Sequence, residues 1–509
     1  MATGTDASLP AAGAEPHTRR ERLSALRDDL RDLRLNAERR EERLADAIDA
    51  VHPSHRRCAA NLAHYLALRA HDLRPVQERL SAEGLSSLGR MEADVLGNLD
   101  AVLGILGDVL DGGVAPVGRT VNVCDTDALG LAAAALLGGE PEDRTTRIMV
   151  TLPSEAADDC ALVGGFADAG MDVARINCAH DDPEAWARMA DHVRAVGSGI
   201  PIAMDLAGPK VRTGPIQPMT GRKAAKKPRL VVHPGDLITL TASPDAVQAT
   251  VGPRHRIGCT LPEAVDAVEV GHRVAFDDGD IEGVVELTRP GEADVRVTLA
   301  APGGAKLRAK KGINLPNTEL PVAALTAEDR AALPHVVAIG DMVQLSFTRS
   351  VEDVRDLFDA LDELGADDLG VVVKIETPSG FVALPEILFE LMRRERVGVM
   401  IARGDLGVEV GFARLAEVQE EILWLCEAAR LPVIWATEVL DNLAATGIPT
   451  RAEVTDAAAG DRAECVMLNK GPHIPEAIRA LDDILTRMNQ HLRKKRPLLR
   501  KLQSWEREE

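Results

Sequence analysis

Aromatic residues are nearly missing from this 509-residue chain: seven Phe, four Trp and one Tyr amount to 2%. The core must therefore be built mainly from Ala, Val, Leu and Ile. Positive charge is also short, with 59 Lys and Arg against 80 Asp and Glu, a net −21. That balance argues against nucleic acid or an anionic membrane as the main partner, but it leaves room for phosphate ligands, which need only a local positive site. The seven cysteines, at 58, 124, 160, 178, 259, 426 and 465, contain no CxxC and no metal-ligand spacing. An odd, scattered set fits a reducing compartment, and a cytoplasmic location is expected. No uninterrupted apolar run approaches the ~18 residues of a membrane span. The opening "MATGTDASLPAAGAEPHT" has no apolar segment of the kind a secretory signal needs.

With 45% hydrophobic residues the chain can bury a large core in two or three domains. Residues 1–18 read as a disordered tail and 19–140 as a helical extension. Leu23, Leu26, Leu30, Leu33, Ala37 and Leu44 recur at helical spacing, a candidate short coiled-coil seam in a packing or oligomerisation module. From about residue 147, short β-branched runs alternate with helical segments. Strands are predicted at 147–152, 173–177, 201–206, 341–347, 370–376, 397–402, 432–437 and 465–469, with helices such as 155–169, 184–196, 351–364, 413–429 and 474–489 between them. Eight such units predict an α/β fold, a (β/α)8 TIM barrel, over 145–214 and 316–490. The alternation breaks once. Residues 215–315 hold alternating strands with Gly, Pro and Asp turns, an all-β insertion on the loop after the third strand, where a lid is useful. Residues 491–509 form a charged tail.

Barrel sites gather at the C-terminal ends of the strands. There the second strand delivers Arg175 and Asn177, and the third Asp205, with Lys210 and Arg212 beyond. The fifth delivers Lys374 and Glu376, the sixth Arg403, Gly404 and Asp405, the seventh Thr437 and Glu438. Glu376 and Asp405 are hard oxygen ligands suited to Mg²⁺. Arg175, Arg212 and Lys374 can hold a phosphoryl group and balance its charge. The stretch "VGVMIARGDLGVEV" (397–410) reads as a buried strand ending in a glycine hinge, with Arg403 a brace or a substrate contact. No nucleophile stands beside a base, which argues against a covalent mechanism.

These segments resemble the pyruvate kinase family. The resemblance runs over about 145–490 and rests on "GMDVARINCAH" (170–180), "MDLAGPKVRTG" (204–214), "DDGDI" (277–281), "KKGINLPN" (310–317), "VVKIETPSG" (372–380), "MIARGDLGVEV" (400–410), "PVIWATEVLDNL" (432–443) and "PTRAEVTDAA" (449–458). It implies phosphoryl transfer from phosphoenolpyruvate to ADP, giving pyruvate and ATP, with Mg²⁺ or Mn²⁺ on Glu376 and Asp405. It implies that Arg175 binds the phosphate, that Lys374 stabilises the phosphoryl charge and that Thr437 lies near the protonated carbon. Lys311 would reach the nucleotide phosphates and Asp278 would orient the lid.

The chain also departs from the family. Ala179 and Lys210 stand where K⁺-dependent members have Ser and Glu. This implies that K⁺ is not required, Lys210 serving as the monovalent-cation substitute with Asn177 and Asp205. The first strand ends "TLPSEA", Ala207 replaces a usual Lys, Glu438 a usual Gln, and Asn469-Lys470-Gly471 the usual Ser-Gly-Glu-Thr segment. The chain stops soon after the last barrel helix, so the usual C-terminal regulatory domain is expected to be absent. A homo-oligomer without nucleic-acid or membrane partners is expected. Two rival readings are a Mg²⁺-dependent keto-acid lyase and a silent barrel acting through its helical extension.

Overall fold

A computed structural model describes residues 18–112, 128–197, 199–218, 228–243, 245–489, 491–493 and 496–497. The tail expected at 1–18 lies outside the described residues except for Thr18. That residue opens the helix Arg19–Arg43 through a reciprocal capping box with Glu21. Most of the tail expected at 491–509 also lies outside them. The chain divides into two units.

In the N-terminal unit, Leu23, Leu26, Leu30, Leu33 and Ala37 of Arg19–Arg43 are buried. The helix packs on Arg56–Arg69 and Val95–Asp111 of the same unit. The stripe read as a coiled-coil seam is therefore an intrachain core. Leucine spacing fixes which face is apolar, but it does not say whose helix covers that face.

In the second unit eight parallel strands close into a barrel: β1 (Arg147–Thr151), β2 (Val173–Asn177), β3 (Ile202–Asp205), β4 (Met342–Leu345), β5 (Gly370–Ile375), β6 (Val397–Ala402), β7 (Val433–Ala436) and β8 (Cys465–Leu468). Each pairs with its neighbours in sequence, and β8 returns to β1. Strands covered on both faces have no polar side to alternate, which is why they read as unbroken apolar runs. The helix Ala128–Leu137 belongs here rather than to the N-terminal extension. Its Leu136 and Leu137 join Met149, Met342, Met400 and Ile434 in the core. A Cβ on Gly370 or Gly398 would come within 2.7 Å of a Leu136 methyl, so both strands need glycine at that point.

Between β3 and β4 the chain builds a six-stranded sheet in the order Ile313–Asn314, Arg273–Phe276, Ile281–Arg289, Glu292–Leu299, Leu237–Thr241, Arg254–Gly258. It has its own core, with Ile238, Val274, Phe276, Val285, Val295 and Leu307 among its residues. The turn 277–279 takes three successive left-handed residues. A Cβ on Gly279 would lie 3.6 Å from Val408 and 3.8 Å from Phe412, so this tip rests on the barrel mouth. Among the described residues no helix is long and apolar enough to cross a membrane.

Candidate active site

Register brings the polar strand ends together. Arg175 on β2 pairs with Thr151 on β1, and Asn177 with Asp205 on β3. The Arg175 guanidinium donates to Thr151 Oγ1 at 2.7 Å and to Asp205 Oδ2 through Nε at 2.8 Å, with Nη2 on the same oxygen. Lys374 Nζ lies 3.1 Å from Asp205 Oδ1, 2.8 Å from Ser346 Oγ and 3.4 Å from Glu376 Oε1. All of these side chains are buried. Burial alone would raise the pKa of Asp205, but Arg175 and Lys374 hold it below the usual carboxylate range. Burial would likewise lower Lys374, and Asp205 and Glu376 keep it raised. The result is a water-poor centre with two permanent cations in fixed positions, where electrostatic interactions are strong.

Glu376 and Asp405 form the second half of the centre. Phe347 N donates to Glu376 Oε2 at 2.5 Å. Burial raises the pKa of Glu376, Lys374 opposes the rise, and the charge of Asp405 adds to it. Glu376 is buried and Asp405 partly so, and two hard-oxygen ligands that repel one another are a donor set a divalent cation would suit. Asp405 itself stays low against its burial because Lys210 and Asn314 hold it. Lys210 Nζ lies 2.8 Å from Asp405 Oδ2. The ammonium expected beside Asn177 and Asp205 is thus on Asp405 instead. Asp205 already has two cations, whereas Asp405 has neither of them as a hydrogen-bond partner. Asn177 Oδ1 accepts from Ala179 N at 2.9 Å and so stabilises its own loop.

The segment expected as a glycine hinge is a helix, Arg403–Val410, with Asp405 in its first turn. Gly404 is needed for approach rather than for a turn. Its N–H donates to Thr437 Oγ1 at 2.6 Å, and a Cβ there would lie 3.3 Å from that oxygen. Thr437, Glu438 and Leu440 take φ values of 66°, 57° and 50°, a strained path for residues with side chains. Arg403 braces it. The guanidinium donates to Ala436 O at 3.1 Å and Thr437 O at 2.5 Å, pairs with Asp456, and stacks 4.6 Å over Trp435.

Other expected residues sit further out. Lys311 pairs with Asp277 Oδ1 at 2.6 Å within the lid. Burial raises Asp278, and its charge interacts with Lys210 and Asp405. Arg212 does not join the centre, and its Nη1 donates to Lys310 O at 3.3 Å. Arg212 and Lys470 add to the burial that lowers the pKa of His180. Glu438 is raised by burial, with Asp441 and Asp278 adding to the rise and Arg403 opposing it. A cavity of ≈ 720 Å³ opens beside this centre, its lining including Lys210, Asn314, Phe347, Arg349, Asp405 and Glu409.

The sequence reading missed Ser346, Asn314 and Glu409. Ser346 directly follows β4, inside the run 341–347, where a lone serine carries no signal. Glu409 follows Asp405 by one helical turn, a relation visible only once the segment is known to be helical. Its Oε1 accepts from Asn314 Nδ2 at 3.0 Å and Leu315 N at 3.2 Å, where the chain leaves the lid. Burial lifts the Glu409 carboxyl from 4.5 to about 7. The folded state then keeps a proton that the unfolded state has released. The contribution to stability is full below the unfolded pKa and is lost as pH rises towards 7. Metal-free protein should therefore lose roughly 2 kcal/mol between pH 4.5 and 7 through this group. Glu409→Gln should flatten that slope in thermal melts across the range. An unchanged slope would assign it to other groups.

A closed parallel barrel with an inserted β lid and a buried polar centre at its strand ends places the chain among the (β/α)8-barrel proteins. The family model "Pyruvate kinase, barrel domain" matches residues 143–472, and the chain belongs to the pyruvate kinase family. Its relatives include pyruvate kinases of Hypocrea jecorina, 32% identical over 67% of this chain and 62% of the relative, and of Methylorubrum extorquens, 33% identical over 64% of each. Another, from Thermotoga maritima, is 30% identical over 67% of this chain and 70% of the relative. The chain thus spans less than two thirds of the first two proteins.

Proposed function

We propose that the chain transfers a phosphoryl group from phosphoenolpyruvate to ADP, giving pyruvate and ATP. The observation that carries this reading is the buried set Arg175, Asp205, Lys374 and Ser346 beside the carboxylate pair Glu376 and Asp405. Arg175 is positioned to bind the phosphate of the donor. Lys374 is positioned to stabilise charge on the transferring group and on the enolate oxygen it leaves. Glu376 and Asp405 would hold Mg²⁺ or Mn²⁺. When bound there, the ion would supply Lewis-acid neutralisation of phosphoryl and enolate oxygens. Thr437 Oγ1, held by Gly404 N next to Asp405, would orient the group that protonates the enolate. Lys311, Asp277 and Asp278 would meet the nucleotide and exclude water, which would limit hydrolysis of the donor.

K⁺ independence belongs to the same reading. Ala179 offers no hydroxyl, and Lys210 keeps a cation in the mouth at all times. Pyruvate formation from phosphoenolpyruvate, ADP and Mg²⁺ in K⁺-free buffer tests both parts. Turnover that changes little on adding K⁺ is expected. Turnover appearing only with K⁺ would remove K⁺ independence, and none under either condition would remove the assigned reaction.

A further inference from the structure

Both connections between the barrel and the lid bring a side chain onto one carboxylate. On entry, the Lys210 ammonium lies 2.8 Å from Asp405 Oδ2. On exit, the Asn314 amide donates to Asp405 Oδ1 at 3.2 Å and to Glu409 Oε1 at 3.0 Å. The two connections pass close together. A Cβ on Gly312 would sit 3.3 Å from Lys210 Cε, so the lysine is confined between the exit strand and the carboxylate. Asp278 on the lid tip faces the same ammonium, and its charge interacts with both Lys210 and Asp405. Glu376 has Lys374 as its cation, at 3.4 Å, and shares it with Asp205.

An ammonium on Asp405 Oδ2 and a divalent cation between Asp405 and Glu376 compete for the same negative charge. On the reading of these two carboxylates as a metal pair, we propose that Lys210 is a resident counter-ion of Asp405. An incoming divalent cation displaces it, and metal binding thereby releases the entry connection of the lid. Because Lys210 is part of that connection, the coupling works in both directions. A lid movement that withdraws Lys210 raises metal affinity, and metal binding loosens the hold on the lid. The freed ammonium remains tethered at the mouth, where an anionic substrate can use it. The lysine thus acts through Asp405 as a positioning residue.

Mn²⁺ is the probe, titrated into the full chain without substrate and followed by calorimetry and by the electron paramagnetic resonance of the free ion. Glu376→Gln should weaken binding about tenfold or more, which locates the ion. Lys210→Met should tighten it about tenfold, and Lys210→Arg, which keeps the cation, should stay near the wild type. Hydrogen exchange at the amides of residues 210–213 should rise when Mn²⁺ is added to the wild type, and should not respond in Lys210→Met. A site weakened by Glu376→Gln but within about twofold of wild type in Lys210→Met would leave the metal pair standing and overturn the counter-ion. Mn²⁺ binding that ignores Glu376→Gln would overturn the metal pair and the counter-ion together. Should Lys210→Met not fold, the wild-type exchange experiment decides, and no response to saturating Mn²⁺ would overturn the proposal.

Discussion

Lys374→Met should lower kcat for pyruvate formation by about 10³-fold and leave the chain folded. Methionine has a similar length but removes the charge from the buried centre. Asp205 keeps Arg175 as a partner, and Glu376, which loses its cation, keeps the Phe347 N–H as a hydrogen-bond donor. Ser346 Oγ retains its bond to Leu206 O at 2.7 Å. What is lost is the cation aimed at the space between Asp205 and Glu376, where transition-state charge develops in the proposed reaction. The change should fall on kcat, with the KM for ADP nearly unaffected, because the lid groups are untouched. Circular dichroism and a melting curve close to wild type must accompany the result. A folded variant within about tenfold of wild-type kcat would mean that Lys374 does not stabilise the transferring group.

Arg403→Leu should cost stability first and activity as a consequence. The guanidinium is buried, pairs with Asp456, satisfies two carbonyls and covers the face of Trp435. Leucine replaces the bulk and none of the bonds. It leaves Asp456, whose side chain is 27% exposed, without its cation and removes the donor from two carbonyls, a loss of about 2–3 kcal/mol, less than for a fully buried pair because water reaches Asp456. The apparent melting temperature should fall by roughly 5 °C or more. Without the brace, the positive-φ path 437–440 should relax and move Thr437 away from Gly404. Asp456→Asn keeps the hydrogen-bonding shape and should cost less. Equal melting temperatures for wild type and Arg403→Leu would rule out the bracing role.

The barrel was legible because its strands leave few alternatives. Runs such as "VGVMIA" and "GVVVKI" are too short and too β-branched for helices, and they lie between amphipathic segments. The observed strands match them to within one or two residues at each end. The polar residues at those ends followed from the fold. Contacts between segments distant in sequence did not follow. Lys210 was expected with Asn177 and Asp205 because the resemblance implies a monovalent-cation site there, yet Asp205 is already neutralised by residues 30 and 169 positions away. The helix Arg403–Val410 was hidden by two glycines that usually interrupt helices, and Glu409 was hidden with it. The helix Ala128–Leu137 is Ala- and Leu-rich all round, so it has no polar face to show where it belongs.

Leu136 also has a bearing on where the barrel can be cut. Similarity to the family begins at residue 143, seven residues after the side chain that fills the bottom of the barrel. A fragment trimmed to the similarity would remove that plug and leave two glycines facing an open apolar well. An autonomous barrel therefore includes the helix Ala128–Leu137, and the boundary of common ancestry is not the boundary of self-sufficiency.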